Sequence, residues 1–359
     1  MIGILGAYGS IGVWATRFIK KQSDCKIRIG GRNIENAPQE LREEWQNTEW
    51  VKVDVSAKES VKKFIDGCKI ILDCAKLSEA QVTLMDEIAE AMGIPVLHLG
   101  IVGYRKKESK VALIYGAGSI PGLSGLIPQY LAKQFDRVSA LDFYYGGVGA
   151  FSYTAAKDYI EGIYNESNHS MVYWKNGNIV PFEPSANDIN AEFSGFVSNY
   201  KLFPYFDEEA TAITNKLQLS EARFQMCLSG KRILSTLNNA RQQYKQNPEA
   251  TIESLCLASN LDTFGQREKS FFLCIMEGKK NNENAKFSLT AFGLSPARMT
   301  GTAAAAATLW ILNEQKIGGT QLLGESNFAA QVIDTMTDGE PLFNCKIRNL
   351  NSIEIEGEI

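Results

Sequence analysis

The chain has 359 residues, of which 45% are hydrophobic and 22% are charged, and its formal net charge is −4. These values are ordinary for a globular enzyme of two domains. The acidic balance and the lack of a lysine- and arginine-rich run exclude a typical nucleic-acid-binding protein. The longest apolar stretch, around residues 303–312, is too short and alanine-rich to span a bilayer. Because a strand begins almost at Met1 and no signal peptide precedes it, we expect a cytoplasmic protein.

The first twelve residues predict a dinucleotide-binding loop. An apolar run over residues 2–5 predicts a strand, glycines follow at every third position, and a helical pattern begins after them. The first glycine permits a tight turn, the second lets a pyrophosphate approach the backbone, and the third lets the helix pack closely on the strand. The alternative is a glycine turn without a ligand. The predicted cofactor contacts in this loop are Gly6, Tyr8, Gly9, Ser10, Ile11 and Gly12.

The second strand, over residues 26–29, indicates which dinucleotide binds. An NAD-specific site has a carboxylate about 20 residues after the glycines, where it holds the ribose 2′-hydroxyl. No carboxylate stands here, and Gly30 and Gly31 are followed by Arg32 and Asn33. Arg32 offers a guanidinium fork for a 2′-phosphate, so we predict NADP(H). The alternative for Arg32 is a solvated arginine in a turn.

The next elements alternate between strand and helix. Apolar runs predict strands over residues 50–55, 69–75, 94–99 and 111–115, and helices are predicted over 60–66 and 79–92. This order predicts an α/β fold with a doubly wound parallel sheet, a Rossmann domain. Cys74 and Ala75 end the fourth predicted strand, near the predicted cofactor. The seven scattered cysteines include no Cys-x-x-Cys pair, so we expect neither a metal site nor a disulfide framework.

The middle of the chain changes character. A glycine cluster at residues 116–125 leads into a helix over 126–135, and a strand follows over 138–147. A hairpin is predicted around Asn176-Gly177, helices are predicted from Ser220 and Pro248, and a strand pair is predicted over 271–276 and 285–291. We therefore predict an inserted α+β domain with a mostly antiparallel sheet. The predicted boundaries are 1–136 for the NADP-binding Rossmann domain, 137–295 for the substrate and dimerisation domain, 296–335 for a helix that returns to the first domain, and 336–359 for a C-terminal tail.

The order of motifs resembles the saccharopine dehydrogenase family. The pieces that carry this resemblance are residues 6–12, Gly31-Arg32-Asn33, Asp54, Pro121-Gly122-Leu123-Ser124, Tyr144-Tyr145-Gly146-Gly147, Arg223 with Gly230, Met299-Thr300-Gly301-Thr302, and residues 317–325. The resemblance implies reversible hydride transfer between NADP(H) and a carbon–nitrogen bond, a site in a cleft between two domains, and a homodimer. It also implies that Asp54 contacts the cofactor and that Arg223, Ser124 and Tyr145 bind substrate. A surface arginine is the alternative for Arg223.

Two side chains are candidates for the proton donor, His98 and Tyr153, and Lys157 is the predicted catalytic partner of Tyr153. The family often has an aspartate where this chain has His98, and a histidine there offers a proton near neutral pH, which favours a substrate other than saccharopine. Tyr153 and Lys157 are four residues apart, so a helix would place them on one face, where the lysine can make the tyrosine more acidic. A buried, hydrogen-bonded histidine and a chance Tyr-x-x-x-Lys pair are the alternatives.

We predict an NADPH-dependent oxidoreductase that reduces a C=N bond of a small amino-acid-like or natural-product substrate. Two alternatives stay open: a reductase of C=C bonds in a biosynthetic pathway, and a non-catalytic NADP-binding sensor. We expect a small-molecule substrate and a second copy of the chain as partners, and neither nucleic acid nor membrane.

Overall fold

The computed structural model describes residues 1–162, 169–183, 200–314 and 318–351. The chain divides into two compact units, one of residues 1–126 with 297–341 and one of residues 127–296 with 342–359. These divisions fall at 126/127, 296/297 and 341/342, and the predicted boundaries are 136/137, 295/296 and 335/336. Ile317, the first residue of the predicted motif at 317–325, and residues 352–359 of the predicted tail lie outside the described residues.

The first unit is built on a seven-stranded parallel sheet. Its strands are β1 (Ile2–Leu5), β2 (Ile27–Gly31), β3 (Glu49–Lys52), β4 (Ile70–Asp73), β5 (Val96–His98), β6 (Ala112–Tyr115) and β15 (Gly319–Leu322). They lie in the order β15-β6-β5-β4-β1-β2-β3, and all of their pairings are parallel. All four residues of β1 are buried, as expected for a strand covered on both faces. The predicted Rossmann sheet is therefore confirmed.

Along the chain, helices alternate with the strands of the first unit. They are α1 (Gly12–Gln22), α2 (Gln39–Glu44), α3 (Lys58–Ile65), α4 (Glu79–Met92), α10 (Pro296–Asn313) and α11 (Ala329–Gly339), and α5 (Leu123–Ala132) crosses the division at 126/127. At the start of α4 the backbone N–H of Ser78 donates to the side-chain oxygen of Gln81 at 2.9 Å. The helix ends where Gly93 adopts a φ of 72°, a left-handed conformation that glycine reaches without steric cost.

The second unit is built on a nine-stranded mixed sheet. Seven strands follow the order β10-β9-β12-β7-β13-β14-β16, while β11 pairs with β12 and with β8. Their bounds are β7 (Arg137–Val148), β8 (His169–Ser170), β9 (Val172–Lys175), β10 (Asn178–Pro181), β11 (Lys201–Phe206), β12 (Glu221–Leu228), β13 (Lys269–Lys280), β14 (Glu283–Phe292) and β16 (Asn344–Asn349). Only the β12–β7 pair is parallel among the described strands of this sheet. The predicted α+β domain with a mostly antiparallel sheet is thus confirmed.

Four helices complete the described part of the second unit: α6 (Tyr153–Gly162), α7 (Glu208–Lys216), α8 (Lys231–Gln246) and α9 (Pro248–Thr263). The prediction of a helix from Ser220 is wrong, because residues 221–228 form β12 between β7 and β9. From Glu221 to Met226 this strand alternates between polar and apolar side chains, which is the period of a strand and not of a helix. The predicted tail contributes β16, which pairs with β14.

Among the described helices, none has the length and apolar character needed to cross a membrane.

Candidate functional site

The glycine loop after β1 has the backbone geometry that its sequence predicts. Gly6 adopts a φ of +73°, a conformation that residues with a Cβ rarely adopt. A Cβ on Gly12 would lie 2.2 Å from the carbonyl oxygen of Gly6, so α1 packs on the loop only because this position is bare. A Cβ on Gly9 would meet that same oxygen at 3.2 Å and nothing else within 4 Å. The space above Gly9 is therefore open, as an approaching ligand requires.

The start of α1 presents unused hydrogen-bond donors. Within the described part of the chain, the backbone N–H groups of Ser10, Ile11 and Gly12 donate to no protein acceptor. Gly301 of α10 packs closely against this end of α1. A Cβ on Gly301 would lie only 2.6 Å from the carbonyl oxygen of Ile11. Free N–H groups and the positive end of a helix dipole together form an anion-binding site.

The turn that follows β4 packs against Gly6 of the glycine loop. A Cβ on Gly6 would lie 3.1 Å from the backbone nitrogen of Ala75 and 3.1 Å from the carbonyl of Cys74. The structure therefore brings Cys74 and Ala75 to the glycine loop. Burial, aided by the charge of Asp73, raises the pKa of the Cys74 thiol well above its usual range, so this thiol stays protonated at neutral pH and is a poor nucleophile.

The end of β2 lies beside Tyr8. Gly31, the last residue of β2, is buried, and a Cβ there would lie 2.2 Å from the Tyr8 hydroxyl oxygen. Arg32 and Asn33 are exposed, and among the described residues no hydrogen-bond or ion-pair partner engages the Arg32 guanidinium. Asp54 follows β3, where its carboxylate accepts a hydrogen bond from the backbone N–H of Ser56 at 2.9 Å.

His98 is buried between two carboxylates. Its Nδ1 lies 2.8 Å from Oδ2 of Asp73, its Nε2 lies 3.0 Å from Oδ1 of Asp86, and only 2% of the residue is exposed. The Tyr115 hydroxyl donates to the other oxygen of Asp86. Burial acts to lower the pKa of His98, but the hydrogen bonds and charges of both carboxylates outweigh it and raise the pKa to about 9. The imidazole is therefore protonated at neutral pH, and both of its N–H groups are engaged.

The second glycine cluster is tightly packed. Gly122 has a φ of +128°, and a Cβ there would lie 2.2 Å from the carbonyl oxygen of Gly118. The Ser119 and Thr300 hydroxyls are 2.7 Å apart. Ser124, a predicted substrate contact, is buried at the start of α5, where its backbone N–H donates to the carbonyl of Ser119. This cluster and the first glycine loop belong to the same unit.

The remaining predicted site residues lie in the second unit. Arg223 of β12 is opposite Asp142 of β7, its Nη1 lies 3.7 Å from Oδ1 of Asp142 and contacts the Glu221 carboxylate, and its guanidinium carbon lies 4.6 Å from the centre of the Tyr173 ring. Burial raises the pKa of Asp142 to about 6, against the opposing charge of Arg223. Any carboxylate of a substrate would therefore compete with acidic groups that already neutralise Arg223.

Tyr145 lies in β7, where its ring centre is 5.0 Å from that of Phe272. Tyr153 begins α6 and is 45% exposed, and Lys157 follows one turn later. The Lys157 ammonium lies 3.6 Å from Oε1 of Glu161. The spacing predicted for the Tyr-x-x-x-Lys pair is thus present on a helix, while the catalytic roles of Tyr153, Lys157 and His98 stay predictions.

Sequence reasoning missed the partners of His98. Asp86 lies on the buried face of α4 with Val82, Met85 and Ala89. An acidic residue within such an apolar stripe is a sign of a buried partner, and this sign was available in the sequence. Among the described residues, no group of His, Cys, Asp and Glu side chains is arranged to hold a metal ion.

Comparison with known proteins identifies the fold. No family model matches the sequence, and no curated protein sequence matches it. The structure is similar to apo saccharopine dehydrogenase (L-Glu forming) from Saccharomyces cerevisiae, with a TM-score of 0.67 and 14% identity over 97% of this chain and 99% of that one.

Two shorter likenesses involve other dehydrogenases. One is to a short-chain dehydrogenase/reductase from Veillonella parvula in complex with NADP, at 18% identity over 27% of this chain and 45% of that one, with a TM-score of 0.25. The other is to a uronate dehydrogenase mutant from Agrobacterium tumefaciens complexed with NAD, at 15% identity over 28% of this chain and 40% of that one, with a TM-score of 0.23. The likeness to the yeast enzyme extends over both units, and the chain has the saccharopine dehydrogenase fold.

Proposed function

We propose that this protein is an NADP(H)-dependent oxidoreductase. The observation that carries the proposal is the loop between β1 and α1, where the space above Gly9 is open and the N–H groups of Ser10, Ile11 and Gly12 have no acceptor among the described residues. These donors match the oxygens of a pyrophosphate. The shared fold with saccharopine dehydrogenase supports the same conclusion.

The preference for NADP(H) rests on the end of β2. An acidic side chain in the place of Gly31 would repel a 2′-phosphate, and this chain has none there. The exposed guanidinium of Arg32, which no described residue engages, supplies a bidentate donor of the opposite charge. Asn33 and Asp54 would contact the adenosine half of the cofactor, and Cys74 and Ala75 would border it by their backbone.

The proposed reaction is the reduction of a C=N bond in a small amino-acid-like or natural-product substrate. The bound nicotinamide would supply the hydride. We propose His98 as a positioning residue, because donation of its proton to a substrate would break a hydrogen bond to Asp73 or Asp86 inside the protein. Tyr153, with Lys157 on the same helical face, is then the proposed proton donor, and Arg223, Ser124 and Tyr145 are the proposed substrate contacts.

The test is a pair of equilibrium titrations with NADPH and NADH, followed by protein fluorescence. We expect tight binding of NADPH and weaker binding of NADH. Arg32→Glu should weaken NADPH binding about 30-fold and leave NADH binding nearly unchanged, because it removes charged hydrogen bonds and adds a repulsion. Arg267→Glu, which reverses an exposed arginine in the second unit, is the matched control. Absence of binding by both nucleotides would refute the proposal.

The bond that is reduced needs a separate assay. Loss of NADPH absorbance in the presence of amines mixed with 2-oxo acids would support C=N reduction, and loss with enones alone would support the alternative C=C reductase. Tyr153→Phe should lower turnover with the accepted substrate about 100-fold while NADPH binding is retained. A wild-type protein that binds NADPH but turns over no substrate would favour the sensor. A homodimer is also proposed, and sedimentation would test it.

A further inference from the structure

The end of β2 lacks the side chain that usually contacts the ribose in this type of fold. Gly31 is the last residue of β2, and such a site carries its ribose-binding carboxylate at this strand end. Gly31 has no side chain, yet the space beside it is not empty. The Tyr8 hydroxyl lies 2.2 Å from the point that a Cβ on Gly31 would occupy. A side chain from the glycine loop thus fills the place of a side chain from the strand.

The position of the Tyr8 ring is defined by its neighbours. The ring stacks on Trp50 of β3, with 6.3 Å between ring centres and 27° between ring planes. Trp50 in turn stacks on the buried Trp45 at 6.0 Å, and the guanidinium carbon of Arg42 lies 4.9 Å from the Trp50 ring. Stacked aromatic rings restrict one another's orientation. The Tyr8 hydroxyl is therefore held at the end of β2 by packing.

We propose that Tyr8 selects the cofactor at the ribose, because its hydroxyl donates a hydrogen bond to the adenosine 2′-phosphate. This inference rests on the proposed function and names a specificity-determining group within it. A phenol hydroxyl can donate as well as accept, so it binds a phosphate that a carboxylate in the same place would repel. Arg32, the next residue after Gly31, is the cationic partner of the same phosphate.

The bare position at Gly31 is part of this arrangement. An alanine at position 31 would place its methyl group against the Tyr8 hydroxyl and 2.7 Å from two carbons of its ring. To make room, the ring must leave its stack on Trp50. Gly31→Ala should therefore act on nucleotide binding by displacing Tyr8, with loss of that stacking contact.

The experiment is a double-mutant cycle with Tyr8→Phe, Gly31→Ala and the double variant, each titrated with NADPH and with NADH. We expect each single variant to weaken NADPH binding about tenfold, the value for one hydrogen bond to a charged group, and NADH binding less than about threefold. The double variant should bind NADPH no more weakly than the singles, because both changes remove the same contact. Tyr244→Phe, which removes a hydroxyl that donates to Glu161 in the second unit, is the control for hydroxyl loss.

Each other outcome has a defined meaning. If Tyr8→Phe binds NADPH as the wild type does, the hydroxyl makes no contact with the cofactor and the inference is overturned. An equal loss for NADPH and NADH would overturn selection of the 2′-phosphate, and additive effects in the double variant would overturn the link between Gly31 and Tyr8. A wild-type protein that binds neither nucleotide refutes the proposed function itself, and this inference with it. Circular dichroism of all variants separates these results from unfolding.

Discussion

The protonated His98 should make the stability of the fold depend on pH in the alkaline range. Its folded-state pKa of about 9 lies above the ordinary value of 6.5. A group whose pKa is raised by folding stabilises the folded state fully below its unfolded pKa, and this stabilisation is lost as the pH rises through the folded value. Since one pKa unit corresponds to about 1.4 kcal/mol, His98 should contribute about 3 kcal/mol at pH 6 and almost nothing above pH 10.

The assay is urea unfolding of the wild type and of His98→Gln between pH 6 and pH 10, followed by circular dichroism. The difference in unfolding free energy between the two proteins should shrink by about 3 kcal/mol over this range. His169→Gln removes the chain's other histidine, which is exposed, and should leave the pH dependence of the wild type intact. A difference that stays constant with pH would refute the reasoning.

A direct measurement covers the case in which His98→Gln does not fold. With only two histidines in the chain, the imidazole carbon signals in an NMR titration are assigned by comparison with His169→Gln. We expect the His98 signal to titrate with a midpoint near pH 9, and a midpoint at or below pH 6.5 would show that the two carboxylates do not hold the proton.

Three further predictions concern the first unit. Gly12→Ala should destabilise the fold by about 3 kcal/mol, the cost of forcing a Cβ to within 2.2 Å of the Gly6 carbonyl oxygen, and thermal unfolding will measure it. Gly9→Ala should cost less than about 1 kcal/mol in the same assay, whereas Gly9→Val should abolish NADPH binding in fluorescence titrations without unfolding the chain. Arg298→Met should cost about 3 kcal/mol in urea unfolding, because Glu340 is nearly buried and its carboxylate pairs with Arg298 at 2.7 Å; an unchanged midpoint would contradict this.

The geometry of the glycine loop was predictable because its constraints are local. The first twelve residues must provide a positive φ, an open surface and a close helix contact. Gly6, Gly9 and Gly12 meet these three requirements in that order. The parallel sheet was predictable for a related reason, since each buried strand is a short apolar run in the sequence. Hydrophobic pattern and glycine spacing are sufficient for features of this kind.

The surroundings of His98 depend on contacts that no local pattern contains. Its partners Asp73 and Asp86 are 25 and 12 residues away, and Tyr115 is 29 residues from Asp86. Their meeting depends on the order of β4, β5 and β6 in the sheet and on the packing of α4. By contrast, β12 had a local signal, since residues 221–226 alternate between polar and apolar side chains. Only its pairing with β7 and β9 depends on the rest of the sheet.

The location of His98 and its proposed role follow from the same residue, Asp73. This aspartate ends β4, and its two carboxylate oxygens have different partners. Oδ1 accepts a hydrogen bond from the backbone N–H of Ala75 at 2.9 Å, and Oδ2 lies 2.8 Å from Nδ1 of His98. Ala75 is the residue whose backbone nitrogen borders Gly6 in the glycine loop. The N–H of His98 therefore orients the Asp73 carboxylate, and Asp73 fixes the turn that lies against the glycine loop. His98 therefore acts on the proposed cofactor site through the protein. Its two ring nitrogens bond to Asp73 and Asp86, and Asp73 holds the turn beside the glycine loop.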